Sequence, residues 1–315
     1  MRQLIEQKAQ MLHDIRAFFY ERDVLEVETP ALSQAGNTDP SIESFQVDAP
    51  GESGEQRYLH TSAEYPMKRM LVAGSGDIYQ ICKVWRAGEL GYRHNPEFTM
   101  LEWYRLGFTY HQLMQEVETL LLSVLPLIQS TSRFVSYQQL FLEVLGIDPH
   151  IASYSELQLC MNSAQIDVVG ELDSDAILDL LMTHCIEPSF AENSLTFVYD
   201  YPATQKALAE LSDDELPVAQ RFEVYLGTKE GAVELGNGYQ ELTDAEENVE
   251  VLRSDLEKRK ARGMADIPLD NHFLSAMQQG LPKCAGVAIG LDRLLMCQLN
   301  KKNLQEIISF AWTVA

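Results

Sequence analysis

The stretch HNPEFTMLEWYR, His94 to Arg105, sets a histidine, two glutamates and several aromatic side chains close together. Written as a strand, its side chains alternate. Phe98, Met100, Glu102 and Tyr104 then share one face, and Glu97, Thr99, Leu101 and Trp103 the other. The first face carries an aromatic plate, a carboxylate and a phenol in succession. Arg86 lies upstream, separated from His94 by the loop AGELGYR. A hairpin that returns Arg86 and His94 to Phe98 makes a cationic grip beside a flat surface. That pairing suits a nucleotide, with a guanidinium on phosphate and a ring under the base. A plainer reading is an amphipathic strand with one buried aromatic face.

A second stretch, RFEVYLGTKEGAVELGNGYQEL, adds acid. With its turn centred on Thr228 and Lys229, Glu223 faces Glu234 directly across a hairpin. Like charges opposite one another on a ladder are destabilising unless something neutralises them. A hard divalent cation bridging both carboxylates and a polyphosphate would do so. A longer GTKEG loop would offset the pair, and an exposed acidic hairpin is the alternative. Further on, Asn237, Tyr239 and Glu241 share a face, while Gly236 and Gly238 leave the backbone open to a ligand. In GVAIGLDR, Gly286, Ala288 and Gly290 form a shallow floor, and Val287, Ile289 and Leu291 face the core. Arg293 then begins a helix, where its guanidinium can meet a phosphate. A small-residue face also serves plain close packing.

Together these strands supply two arginines, two glutamates, an aromatic plate and a small floor, a set that suits ATP with Mg²⁺. Glu64, Glu102 and Glu241 remain for a second substrate. A diamino acid carries two ammonium groups, and each needs a carboxylate once it leaves water. No nucleophilic Ser or Cys with a partnered His stands out, so the chemistry expected is positioning rather than a covalent enzyme intermediate.

The elements that must hold these residues are legible from periodicity. Leu4, Ile5, Met11, Leu12, Ile15, Phe18 and Phe19 recur at helical spacing. VLEVETPALS reads as a short strand entering a loop, and residues 34–57 as loops and edge structure. Helices are expected at Ser62–Ala73, Tyr110–Leu125 and Asp244–Arg262, with a helical stretch over 130–195. Strands are expected at DIYQICKVWR, EFTMLEWYR, LTFVYDYP, RFEVYL and AVELGNGYQEL, and GVAIGLDRLLMCQL turns from strand to helix. The reading is one α+β domain over residues 1–315, with a mostly antiparallel sheet flanked by helices.

With 46% hydrophobic residues over 315, the chain can bury a sizeable core. Its net charge of −23 and pI near 4.6 argue against a nonspecific grip on nucleic acid. Such acid suits cationic ligands, metal ions or a basic protein partner, or simply keeps the protein soluble. Five cysteines without a CxxC pair imply neither a disulfide framework nor a zinc site. No apolar run would span a bilayer and no signal-peptide core opens the chain, so a cytoplasmic protein is expected.

VLEVETP, VWRAGELGYRHNPEFTMLEWYR and GVAIGLDRLLM resemble motifs 1, 2 and 3 of the class II aminoacyl-tRNA synthetases. HNPEFTMLEWY and ELGNGYQELTDA are closer still to the lysyl enzymes, and the similarity covers essentially the whole chain. Lysyl-tRNA synthetases carry an N-terminal anticodon-binding barrel, whereas this chain reaches motif 1 by residue 30. That arrangement resembles the lysyl-synthetase paralogues that ligate (R)-β-lysine to elongation factor P, and the acidic charge fits a protein acceptor. The resemblance implies an AMP-forming ligase using ATP and Mg²⁺, which activates (R)-β-lysine or lysine as an aminoacyl-adenylate. The acyl group would pass to the ε-amine of a lysine on elongation factor P, with no stable nucleic acid or membrane partner. Motif 1 lies at a two-fold interface in this family, which implies a homodimer. A truncated lysyl-tRNA synthetase and a non-catalytic regulatory paralogue are the rival readings.

The resemblance also implies roles. Arg86, Ala87, Gly88, Glu89, His94, Asn95, Phe98, Glu234, Leu235, Gly290 and Arg293 would form the ATP site. Arg86 would hold the α-phosphate and the substrate carboxylate, Asn95 and Phe98 would lie near adenine, and Arg293 would meet the γ-phosphate. Glu223 and Glu234 would carry magnesium, making up the catalytic set with the two arginines. Ser62, Ala63, Glu64, Glu102, Tyr104, Asn237, Tyr239, Glu241 and Ala288 would line the amino-acid pocket. Two departures stand out. The synthetase pattern Arg-x-Glu is here Arg86-Ala87-Gly88-Glu89, so Glu89 is the candidate substitute for the displaced glutamate. Lysyl synthetases have glycine where Ala288 stands, and the elongation factor P ligases have alanine. One methyl on a packed floor shifts a bound substrate, and a β-amino acid carries its amine one carbon further from the carboxylate.

Overall fold

The computed structural model describes residues 1–49, 56–128, 131–168 and 170–315. Residues 50–55 of the expected loop stretch, and 130 and 169 of the expected helical stretch, lie outside the described residues. Helix α1 (Arg2–Tyr20) turns Met11, Ile15, Phe18 and Phe19 inward, as its spacing requires. Strands β1 (Leu25–Glu26) and β2 (Leu32–Ser33) follow, then β3 (Gln46–Asp48) and β4 (Gln56–Leu59). Helix α2 (Glu64–Val72) leads into the antiparallel pair β5 (Ile78–Trp85) and β6 (Glu97–Leu106). Helix α3 (Tyr110–Val124) starts at a capping box of Thr109 and Gln112, which satisfies two otherwise orphaned backbone donors.

The expected helical stretch contains a strand, β7 (Arg133–Ser136), before α4 (Tyr137–Leu145), α5 (Tyr154–Ser163) and α6 (Ser174–Leu181). Four residues with a single buried position, Val135, are too short a run for alternation to reveal. A π turn (Met182–Ile186) and a 3₁₀ turn (Glu187–Ser189) extend α6. Then come β8 (Leu195–Pro202), the long hairpin β9 (Val218–Thr228) and β10 (Gly231–Gln240), and α7 (Ala245–Ala261) capped by Asp244. A short helix that periodicity did not reveal, α8 (Asn271–Met277), is capped by Asp270. Strand β11 (Cys284–Gly290) runs directly into α9 (Leu291–Gln298).

The main sheet has the order β1-β5-β6-β11-β10-β9-β8-β7, and β2-β4-β3 form a small second sheet. The outermost pairs, β1–β5 and β7–β8, are parallel, and the interior is antiparallel. One face of the centre is sealed. Leu101, Trp103, Val287, Ile289, Phe222 and Val224 pack there with residues of α1, α3 and α9. Phe19 stacks on Tyr79 at 4.3 Å and meets Trp103 edge-on at 5.3 Å. On the opposite face, residues of α4–α6 cover the β8–β9 end. Residues of α2, α7 and α8 close the other flank, where Tyr65 stacks on Phe273 at 4.3 Å. Between these two covers the middle of the sheet stays open.

The hairpin register corrects one expectation. Thr228 pairs with Gly231, so Lys229 and Glu230 form the turn, with Gly231 at φ 102°. A bulge between Glu234 and Gly236 adds one further residue to β10. Glu234 therefore pairs with Tyr225, and Glu223 with Asn237. The two glutamates share a face but stand one cross-strand step apart rather than opposite one another.

Candidate active site

A cavity of about 270 Å³ opens over β6, β11 and β10. Alternation delivers its wall as expected: Phe98, Met100, Glu102 and Tyr104 line it, while Leu101 and Trp103 enter the core. Cross-strand pairing then sets a row over five strands, Gln80–Glu102–Ala288–Asn237–Glu223. A neighbouring row runs Tyr104–Gly286–Tyr239–Arg221. Functional groups far apart in sequence thus become neighbours.

At the end expected to take nucleotide, the Arg86 guanidinium lies 5.3 Å from the centre of the Phe98 ring. Its Nε donates to the Thr61 carbonyl at 3.4 Å, and Glu89 reaches it at 3.8 Å. The displaced glutamate therefore pairs with the arginine it follows. Arg293 is fixed on every side: it donates to the Arg93 carbonyl at 3.2 Å, the Glu234 carbonyl at 3.0 Å and Glu234 Oε2 at 3.2 Å. Its Nη2 also meets His94 Nε2 at 2.6 Å. A guanidinium only donates, so that ring nitrogen is an unprotonated acceptor. Burial first, and Arg293 second, hold His94 below its ordinary pKa. Asn95 donates to the Glu97 carbonyl at 2.6 Å and accepts from the Trp312 amide at 3.2 Å, which keeps one amide N–H available. Leu235, in the bulge, and Gly290, at the start of α9, also reach the wall.

At the opposite end carboxylates gather. Glu102 is buried, and Oε2 accepts from Ser62 Oγ at 2.7 Å and the Ala63 amide at 3.1 Å. Its Oε1 accepts from the Tyr104 hydroxyl at 2.7 Å. Burial above all, and the charge of Glu64 after it, push Glu102 up to about 7. Glu64 Oε1 accepts from Lys68 Nζ at 2.7 Å. The same ammonium lies 2.5 Å from Glu241 Oε2, an ion pair without hydrogen-bond alignment, since that oxygen accepts no hydrogen bond. Burial drives Glu241 upward while Lys68 pulls it back. Gly286 leaves the room these groups need, because a Cβ there would lie 2.3 Å from Glu241 Oε1 and 2.4 Å from the Tyr104 ring. Ser62, Glu64, Asn237, Tyr239, Glu241 and Ala288 all line the cavity.

Some expected residues stand elsewhere. Glu223 is absent from the wall, and its carboxylate accepts from Arg221 and the Tyr225 hydroxyl. Ala63 is buried behind Glu102, the Ala87 amide donates to the Glu43 carbonyl at 2.8 Å, and Gly88 turns the loop at φ 81°.

Other residues of the site were not foreseen. Lys68 carried a legible signal, four residues after Glu64 on a helix, the spacing of an ion pair. Asp292 is buried, and accepts from the Thr99 amide at 2.7 Å and Lys8 Nζ at 2.8 Å, fixing α9 to β6 and α1. Asn37, Thr38, Asp39 and Ile42 form a roof. Arg259 of α7 holds it, donating to the carbonyls of Asp39 and Ile42 at 3.1 Å each and to Glu43 at 2.8 Å. Those contacts span more than 200 residues, and local pattern carries no trace of them.

No helix among the described residues is long and apolar enough to cross a membrane. A family model described as tRNA synthetases class II (D, K and N) matches residues 1–314. The chain is 44% identical over 316 residues to an elongation factor P–(R)-β-lysine ligase of Pseudoalteromonas translucida (strain TAC 125), covering 99% of this chain and 96% of that protein. It is 45% identical over 310 residues to one of Salmonella arizonae, covering 96% and 93% respectively. A relative of the same name from Pectobacterium atrosepticum is 44% identical over 309 residues, covering 96% and 93%. With the second and third of its signature segments converging on one cavity and the family model spanning residues 1–314, the chain belongs to the class II tRNA synthetase family of the D, K and N type.

Proposed function

We propose that the protein is an AMP-forming ligase that activates (R)-β-lysine with ATP and transfers it to a lysine of elongation factor P. The observation that carries this reading is the carboxylate pocket of Glu64, Glu102 and Glu241, open beside Arg86, Phe98 and Arg293 over one sheet. Each ammonium group of a diamino acid meets a carboxylate there, and the substrate carboxylate lies towards Arg86. The names of relatives at 44–45% identity support this acceptor and this amino acid over tRNA charging or a purely regulatory role.

In the first step an oxygen of the substrate carboxylate attacks the α-phosphorus of ATP in line, and pyrophosphate leaves. Arg86 and Arg293 spread the growing negative charge from fixed positions, so little reorganisation is needed at the moment of reaction. His94, Arg93 and Glu234 hold Arg293 in place. In the second step the neutral ε-amine of the acceptor lysine attacks the acyl carbon. An amide forms, AMP carries off the electron pair of the broken C–O bond, and the amine proton passes to solvent.

Magnesium fits the donor set in one form. Among the described residues no group of three or more His, Cys, Asp or Glu side chains makes a protein cage. Mg²⁺ keeps waters and takes one or two carboxylates plus phosphate oxygens. Glu234, which commits only Oε2 to Arg293, is the residue that would hold it; Glu223, one step further along the face, would join it only by giving up Arg221 or Tyr225. When bound it supplies positive charge to the phosphates. We place the enzyme in the cytoplasm as a homodimer formed through the β1–β2 region, with residues 1–315 acting as one catalytic unit.

Incubation of elongation factor P with the protein, ATP, Mg²⁺ and (R)-β-lysine tests the reading by intact mass. One added lysyl unit, stronger with the β-isomer than with α-lysine and not matched by charging of tRNA, is the expected result. An unmodified factor alongside charged tRNA would overturn it.

A further inference from the structure

Lys68 brings a positive charge into the floor of the amino-acid pocket without facing the cavity itself. It lies on α2 one turn beyond Glu64, and its side chain is fully buried. Nζ stands 2.7 Å from Glu64 Oε1 and 2.5 Å from Glu241 Oε2. Each glutamate thereby turns one oxygen to Lys68 and keeps the other. The Glu241 oxygen left over, Oε1, hangs above Gly286, where a Cβ would approach it to 2.3 Å. Glu64 and Glu241 both line the cavity, and the ammonium behind them holds one oxygen of each.

The charges can be counted. Counted with the ammonium groups of a ligand in place to keep them ionised, Glu64, Glu102 and Glu241 bring three negative charges and Lys68 one positive, so 1 − 3 = −2. A charge buried without a partner is costly, so such a pocket favours the ligand that returns the sum to zero. Two ammonium groups do that, and the substrate carboxylate is met separately by Arg86. A single ammonium leaves one buried carboxylate unmatched.

We propose that Lys68 is the positioning residue that sets this pocket's charge deficit at two, and so makes the site selective for amino acids bearing two ammonium groups. The inference rests on the assignment of Glu64, Glu102 and Glu241 to the diamino acid. Lys68 acts through Glu64 and Glu241 and touches no reacting atom.

Charge counting gives a test that a merely structural lysine would fail. Lys68→Met leaves a deficit of three, and Glu64→Gln leaves a deficit of one. The double variant returns to two. Lysine- and β-lysine-dependent pyrophosphate exchange is measured at saturating ATP, together with the KM for ATP. Each single variant raises the KM for the diamino acid by at least about tenfold, the scale of one unmatched charge, and leaves the KM for ATP within about twofold. Adding Lys68→Met to Glu64→Gln then lowers the KM for the diamino acid again.

A purely structural lysine predicts the reverse, a double variant worse than Glu64→Gln alone, and that result would overturn the proposal. So would a parallel rise in the KM for ATP. If Lys68→Met alone fails to fold, the double variant against Glu64→Gln decides the matter, since it buries no surplus carboxylate. Exchange by the unaltered protein separates the two levels: its absence with any diamino acid refutes the functional reading. Its presence beside an unimproved double variant refutes the role of Lys68 alone.

Discussion

Ala288 stands directly across the β11–β6 ladder from Glu102 and, on its other side, across from Asn237 of β10. Its methyl therefore rises between a carboxylate expected to meet an ammonium and an amide beside it. Cβ atoms of direct cross-strand partners lie about 4.5–5.5 Å apart, so the methyl takes up room that a substrate backbone would otherwise fill. Ala288→Gly is expected to shift the preference from (R)-β-lysine towards α-lysine, by on the order of tenfold in the ratio of kcat/KM values. Pyrophosphate exchange with each isomer measures it. An unchanged ratio would show that the floor does not read the position of the amine.

Gly286 offers a harder test of the same floor. Any Cβ at this position meets Glu241 Oε1 at 2.3 Å and the Tyr104 ring at 2.4 Å, far inside van der Waals contact. Gly286→Ala should abolish amino-acid-dependent exchange while ATP still binds, as titration calorimetry with ATP alone would report. Normal exchange in a folded Gly286→Ala protein would mean that neither neighbour touches the substrate.

Glu241→Gln removes the carboxylate that pairs with buried Lys68. Breaking a buried pair from one side commonly costs about 3–5 kcal/mol, so a lower melting temperature is expected. Adenylate formation with lysine-like substrates should vanish, whereas ATP binding to the folded variant should be largely retained. Equal loss of both would remove Glu241 from the amino-acid site.

The pH dependence of stability follows from Glu102. Burial raises its folded-state value from the ordinary 4.5 to about 7, so the folded protein holds a proton that the unfolded chain releases earlier. This contribution to stability is present below pH 4.5 and is lost as pH rises through about 7. A bound ammonium favours the ionised carboxylate and opposes that loss. The rise in melting temperature on adding (R)-β-lysine should therefore be larger near pH 8 than near pH 6, which differential scanning fluorimetry can measure. A ligand effect that shrinks over this range would show that Glu102 does not meet the amine.

Much of the site was legible because strand alternation and charge chemistry act locally. The face of β6 that carries Phe98, Met100, Glu102 and Tyr104 follows from period two alone, and the Gly286–Ala288–Gly290 floor follows in the same way. Register was not legible, since one bulged residue and a turn displaced to Lys229–Glu230 moved Glu223 from Glu234 to Asn237. Lys68 was overlooked although Glu64 and Lys68 have ion-pair spacing, because lysines at that spacing are usually exposed. The roof at Asn37–Ile42 depends on Arg259, and long-range side-chain capture of backbone carbonyls leaves no periodic mark.

The extra residue at Leu235 acts as a slip joint in the β9–β10 hairpin. Below it, Asn237, Tyr239 and the strand leading to Glu241 take their register from β11 as well as β9; above it, Glu234 is placed by its pairing with Tyr225 and by Arg293. A change in the length of the tip would leave both ends of the strand in place, since neither takes its position from the turn. The nucleotide end and the amino-acid end of a single strand thus hang on different neighbours, β9 and Arg293 above the bulge and β9 with β11 below it.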